Sequence, residues 1–349
     1  MEPSKIPLST FKEYLREQFK TQDVEIFNIE THKKGKIILS VLISGKKLYV
    51  HTITGTFRHQ CNVIKKLQGI TPKVILYDPS KKYFPHEIML TEHAGECSLS
   101  ETIINGEKID FVSIGKTIGI LHRVHPISGL EKKKIDKDKV IPNNYVARYL
   151  KPIKNDFPSL LHDVLKNLKH TPVCKKNMVV CHNDLSSDNI MMNNGCPSII
   201  DFDEVGYNVK EFDLASLLIS LEHPALIHKM QSGLSDYTKK GSMSIFGKNK
   251  VLRLCVELFG YELTDFYRDS LKKISDNVLS GYRDDLSPDL YAYCDRIIRL
   301  NNLVFNLFRS FYFPFHFDKS LLIGDLLQCS SASLLSKRAT SELVSYIEI

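Results

Sequence analysis

The chain has 349 residues, 43% of them hydrophobic and 25% charged, enough apolar material for one large domain or two moderate lobes around a buried core. Its net charge of +7 sits in short runs such as Lys33-Lys34-Gly35-Lys36 and Glu131-Lys132-Lys133-Lys134, which read as solvated loops because no nucleic-acid-binding motif accompanies them. The eight cysteines form no CxxC pair and have no clustered His partner, which argues against zinc, and no apolar run approaches the ~18 residues a membrane span needs.

The opening residues Met1-Glu2-Pro3-Ser4-Lys5 lack an apolar signal region, so the expected location is cytoplasmic. Thr10 with Glu13 predicts a capping box that opens a short amphipathic helix, with Phe11, Tyr14, Leu15 and Phe19 on one side. Runs rich in Ile, Val and Leu follow at 25–29, 36–44 and 47–54, separated by turn signals at Lys34-Gly35 and Ser44-Gly45, and predict an antiparallel meander. A helix over 57–67 and strands over 73–77 and 87–92 come next. Beyond Ala94-Gly95 the pattern turns helical, with Ile114, Ile118, Leu121 and Val124 at helical spacing and a further helix over 159–168. The expected boundary falls there, giving an N-terminal nucleotide-binding lobe over 1–94 and a helical lobe over 95–349. Residues 126–145 read as an exposed connection, and the chain from Phe212 onward as almost wholly helical.

The segment Val179-Val180-Cys181-His182-Asn183-Asp184-Leu185-Ser186-Ser187-Asp188-Asn189 is the informative one. A short apolar strand delivers a loop with Asp184, then Asn189 five residues on and Asp201 twelve beyond that, after a second apolar strand. Phosphoryl transfer needs a carboxylate at the attacking hydroxyl and hard oxygen ligands for magnesium, and this spacing supplies both. In that reading Asp184 orients the acceptor hydroxyl and takes its proton, Asn189 and Asp201 hold Mg2+, and His182 braces the loop. Polar turn residues would give the same triplet for purely structural reasons.

The segment resembles the aminoglycoside phosphotransferase and choline kinase superfamily, whose loop reads H-x-D-x-x-x-x-N and whose metal site reads I-D-F/W/Y-E/D. Phe212-Asp213-Leu214-Ala215 is similar to the family's helix start, where the Asp steadies the catalytic region, and Tyr207-Asn208 is similar to the choline and ethanolamine kinase branch. Leu121-His122 looks like the helix end of the family, and Gly281-Tyr282 like its late element. The resemblance implies an α+β, two-lobed protein-kinase-like fold, with a small antiparallel-sheet lobe and a larger helical one. It also implies ATP and Mg2+ as cofactors, with Glu92, His93 and Ala94 at the hinge beside the adenine.

One departure stands out. The family holds the nucleotide phosphates with a basic residue on the third strand, paired to a Glu on the next helix. Here that strand position falls on His51 or Thr52, and Gln60 stands where the Glu is expected. His51 is the expected cofactor-binding residue, with Lys33, Lys34 or Lys36 as possible substitutes. The expected activity is transfer of the γ-phosphoryl group of ATP to the hydroxyl of a small molecule resembling choline, ethanolamine or an aminoglycoside. The alternative is a catalytically weakened relative with a binding or regulatory role. A quaternary ammonium would want aromatic and acidic neighbours, and Glu204, Tyr207, Tyr282 and Asp284 are the candidates, with Asp285, Tyr291, Phe311 and Tyr312 behind them. The chain has no Trp, the strongest such aromatic.

Overall fold

The computed structural model describes residues 8–32, 36–53, 58–82, 86–125, 127, 130, 157–168, 178–238, 271–312, 335–339 and 343. Lys33, Lys34, most of the 126–145 connection and the serine cluster near 330 lie outside them, as do the side chains of Lys36, Phe311 and Tyr312.

Helix α1 (Leu8–Phe19) buries Phe11, Tyr14 and Leu15 against the first sheet, as its apolar spacing predicts. Thr10 is the third residue of this helix and not its cap, so the helix starts two residues upstream of the expected capping box. The sheet contains β1 (Val24–His32), β2 (Lys36–Ile43), β3 (Lys46–Ile53), β4 (Val74–Asp78) and β5 (Glu87–Glu92), in the order β1-β2-β3-β5-β4, all antiparallel. Ser44 (φ 49°) and Gly45 (φ 76°) join β2 to β3, and two positive φ values in a two-residue loop match the strands' right-handed twist.

Alternation along β3 settles a question that the sequence left open. Leu48, Val50 and Thr52 point into the core beneath α1, at 2%, 0% and 0% exposure, so Tyr49 and His51 face the opposite side. That side is covered by α2 (Arg58–Lys66), whose Cys61, Val63 and Ile64 join a second core shared with the helical part of the molecule.

The chain leaves β5 through Ala94 and Gly95. A Cβ on Gly95 would stand 2.5 Å from the carbonyl oxygen of Met192, so only glycine fits there. The short strand β6 (Cys97–Ser98) leads into α3 (Leu99–Ile104), where a full capping box forms: Ser98 Oγ accepts from Glu101 N at 3.2 Å, and Glu101 Oε2 accepts from Ser98 N at 2.7 Å. Then come α4 (Phe111–His122) and α5 (Pro158–Leu168), and four short strands: β7 (Met178–Cys181), β8 (Ile190–Asn193), β9 (Cys196–Ile199) and β10 (Gly206–Val209). Strand β7 pairs with β10, and β8 lies between β6 and β9. The described chain is completed by α6 (Lys210–Thr238), α7 (Lys272–Tyr282) and α8 (Pro288–Tyr312).

Two contacts fix the helices. Helices α4 and α7 cross so closely that a Cβ on Gly115 would collide with the Val278 carbonyl, and one on Gly281 with that of Val112. Between α6 and α8, Arg299 makes a two-pronged ion pair with Glu222 and a further bond to Asp295 at 3.0 Å. Among the described residues no helix is long and apolar enough to cross a membrane. The result is the expected α+β arrangement, an antiparallel sheet beside a mainly helical body.

Candidate active site

The site is built from a buried carboxylate outward. Asp213, in the first turn of α6, is fully buried and accepts the backbone N–H groups of His182 at 2.7 Å and Asn183 at 2.9 Å. Its Oδ2 also pairs with His122 Nε2 at 3.1 Å, and His122 Nδ1 meets the hydroxyl of Tyr282 at 2.7 Å. Burial pushes the Asp213 carboxyl up, but hydrogen bonding and charge from His122, with help from His182, hold it below the ordinary carboxylate range. Cys181 lies close enough to His122 and Asp213 to suggest a metal cluster. Its thiol donates to the Val209 carbonyl at 3.5 Å and is pushed up by burial, so it stays protonated and the group acts as a brace.

The braced loop leaves β7 and carries Asp184. His182 donates from Nε2 to the carbonyl of Ile200 at 2.7 Å and packs its ring 4.9 Å from that of Phe202, which ties the loop to the turn holding Asp201. Asn183 has φ 66°, a conformation that Asn tolerates better than most residues. Its side chain donates to the Glu204 carbonyl at 2.9 Å and accepts from Asn208 at 2.8 Å, a use of Asn208 that sequence alone does not show.

Asn189 donates from Nδ2 to the carbonyl of Asp184 at 2.8 Å, so the oxygen end of its amide is the one available to a cation. Asp201 follows β9 with φ 60° and ψ 59°, a left-handed backbone that costs about 1–3 kcal/mol and persists only where its surroundings impose it. The Asp184 carboxyl is raised above its ordinary value, first by partial burial and then by the negative charges of Asp201 and Glu204, against the opposing effects of His182 and the Asn189 amide.

A cavity of 330 Å3 separates the sheet from these loops. Ile38, Tyr49, His51, Met89 and Thr91 line it from the sheet, Ala94 and Gly95 from the connection, and Asn189, Met191, Ile199 and Asp201 from below. Of the residues expected at a nucleotide, His51, Glu92 and Ala94 line it. His93 does not; it stacks on Tyr49 with ring centroids 5.3 Å apart and reaches the cavity only through that ring. Glu92 pairs with Lys46 at 2.8 Å. Among the described lining residues there are three carboxylates, Glu92, Asp201 and Asp203, and no Lys or Arg. His51 meets Thr91 Oγ1 at 3.2 Å. Gln60 does not act as a simple neutral partner for the strand; its Nε2 donates to Asp203 Oδ1 at 2.8 Å, across 143 positions of chain.

The candidate acceptor residues are scattered. Tyr282 is 1% exposed and committed to His122, so it is a core residue and not a wall of an open pocket; its place in the tight α4–α7 crossing is the reason. Tyr207 is half-buried, and its hydroxyl accepts the Ile127 N–H at 3.0 Å. Asp284 pairs with Arg123 at 3.3 Å, and Glu204 is exposed beside Asp184.

Residues 98–233 match the family model for choline/ethanolamine kinase. No curated protein sequence matches the chain. A choline/ethanolamine kinase family protein from Mesorhizobium loti is similar in structure, with a TM-score of 0.57 at 12% identity, covering 98% of this chain and 99% of its own. The spectinomycin phosphotransferase APH(9)-Ia, solved with ADP and spectinomycin, has a TM-score of 0.53 at 11% identity, over 93% of each chain. A thermostable mutant of the aminoglycoside phosphotransferase APH(4)-Ia, solved with ADP and hygromycin B, has a TM-score of 0.52 at 12% identity, over 97% of this chain and 98% of that one. At these identities the solved structures establish the fold, while the family match rests on the central segment, which includes the Asp184 loop. The chain thus has the kinase-like fold of the aminoglycoside phosphotransferase and choline kinase superfamily, and its residues 98–233 carry the choline/ethanolamine kinase pattern.

Proposed function

We propose that the protein is an ATP-dependent small-molecule kinase that transfers the γ-phosphoryl group to an alcohol, with an amino alcohol of the choline or ethanolamine type as the acceptor class. The observation that carries this reading is the convergence of Asp184, Asn189 and Asp201. Asn189 is bonded to the Asp184 backbone, lines the cavity together with Asp201, and both offer hard oxygen ligands. That donor set fits magnesium, which prefers carboxylate and carbonyl oxygen. Asn189 and Asp201 would hold the ion, whose contribution when bound is to neutralise phosphate charge in a cavity lined by carboxylates.

The chain's own residues do the rest. Asp184, on a loop pinned through its neighbours by Asp213, accepts a hydrogen bond from the acceptor hydroxyl and takes its proton as the new P–O bond forms and the bond from the γ-phosphorus to the bridging oxygen breaks, releasing ADP. Ile38, Ala94, Met191 and Ile199 give the cavity apolar surfaces suited to a purine ring, with the hinge backbone beside it. Glu204, exposed beside Asp184, supplies negative charge for a cationic acceptor, whereas Asp284 is paired with Arg123.

The test is acceptor-stimulated ADP release with magnesium, across choline, ethanolamine, aminoglycosides, thiamine and simple sugars. Stimulation by an amino alcohol supports the full reading; stimulation by another class keeps the kinase and replaces the acceptor. One observation favours the second reading of a weakened, regulatory relative: no Lys or Arg lines the described cavity. Tight nucleotide binding without turnover on any acceptor would support it.

A further inference from the structure

The hydrogen bond from Gln60 to Asp203 joins the helix behind the sheet to the turn that carries Asp201, and both residues line the cavity. We propose that Gln60 is a positioning residue: by holding Asp203 it fixes the Asp201-Phe202-Asp203 turn, replacing the strand-to-helix ion pair that this chain lacks. The inference rests on the reading of Asp201 as a metal ligand.

Three features of the site support it. Asp201 adopts a left-handed backbone that needs an external constraint, and Asp203 lies two residues away in the same short 3-10 turn, Phe202–Glu204. Gln60 is itself 8% exposed and its helix is anchored by Cys61, Val63 and Ile64 in the shared core, so the donor is rigidly held. Third, the chemistry of the pair accounts for the residue type. A Glu at position 60 would set a second carboxylate against Asp203 at hydrogen-bonding distance, whereas the Gln amide offers an N–H to it. With His51 bonded to Thr91, a Glu at position 60 would meet no Lys or Arg at the facing positions 51 and 52 of β3, whose lysines, Lys46 and Lys47, pair with Glu92 and Glu96 instead. The lobe coupling that elsewhere uses a basic strand residue runs here directly from α2 to the metal-bearing turn.

The test is a four-member cycle read by Mg2+-dependent ADP binding: wild type, Gln60→Glu, Asp203→Asn, and the double variant Gln60→Glu/Asp203→Asn. The double variant reverses donor and acceptor and restores a single hydrogen bond. The expected result is that Gln60→Glu weakens Mg2+-dependent ADP binding by about tenfold near pH 8, the size of a contact-distance coupling, and that the double variant recovers most of it. The rescue is not expected of a general loss of stability, which thermal unfolding of the same four proteins measures. Equal ADP affinities across the cycle, or a double variant no better than Gln60→Glu, would overturn the positioning role while leaving the kinase reading intact. Absence of Mg2+-dependent ADP binding by the wild type would overturn both.

Discussion

The carboxylate of Asp213 accepts the backbone N–H of His182 at 2.7 Å and that of Asn183 at 2.9 Å, so the first turn of α6 sets the position of the loop that carries Asp184 and begins 31 residues earlier in the chain.

Replacing Asp213 by Ala leaves two buried N–H groups and His122 without an acceptor, and should cost about 3–5 kcal/mol of stability by urea unfolding. The pH dependence has a definite sign. The folded carboxyl is held below its unfolded value, so its contribution is fully present above about pH 4 and is lost as pH falls through the folded value. The gap between wild type and Asp213→Ala should therefore hold from about pH 5 to 8 and close only in strong acid.

Asp184 has the opposite sign. Its carboxyl is raised in the folded state, so the native protein holds a proton more tightly than the unfolded chain, and wild-type stability falls as pH rises through that window. Asp184→Asn removes the penalty. It should unfold at a temperature equal to or above that of wild type at neutral pH, with transfer abolished, and lose this advantage in acid. A variant that unfolds well below wild type would contradict the unfavourable setting of the Asp184 carboxylate.

The strands and the meander were legible because each is local, an apolar run between turn residues; the spacing of Asp184, Asn189 and Asp201 is local too, and the fold sets Asn189 and Asp201 on the wall of one cavity. The faces of β3 were legible in principle, since Leu48, Val50 and Thr52 alternate with Tyr49 and His51, though which series faced the cavity was not. What could not be read was contact between distant residues. Tyr282 looked like an aromatic wall and is a core residue, because His122 lies 160 positions upstream and meets it only after α4 and α7 cross. The Gln60–Asp203 bond was hidden for the same reason. The stacking of His93 on Tyr49, which sets its ring beside the cavity and not in its wall, joins residues 44 positions apart and was hidden too.

The α4–α7 crossing itself gives a stability prediction. Gly281→Ala would drive its Cβ into the Val112 carbonyl, and should cost roughly 1–3 kcal/mol as the helices separate. Because Tyr282 moves with the helix, the variant should also loosen His122 and reduce turnover. Denaturant unfolding with activity on the residual folded protein separates the two effects.

His51 offers a gain-of-function test. The described cavity lining holds three carboxylates and no Lys or Arg, so His51→Lys introduces a permanent cation where nucleotide phosphates would lie. The variant should bind Mg2+-ATP more tightly, with a lower KM for ATP and less dependence on magnesium concentration. An unchanged KM would mean that the phosphates do not approach β3.

The most direct test of the account measures ATP binding and ADP release side by side, with and without magnesium, for wild type and Asp184→Asn. The account predicts Mg2+-dependent ATP binding by both proteins, and acceptor-stimulated ADP release by the wild type alone. Wild-type turnover in Asp184→Asn, or no Mg2+-dependent ATP binding by the wild type, would contradict it.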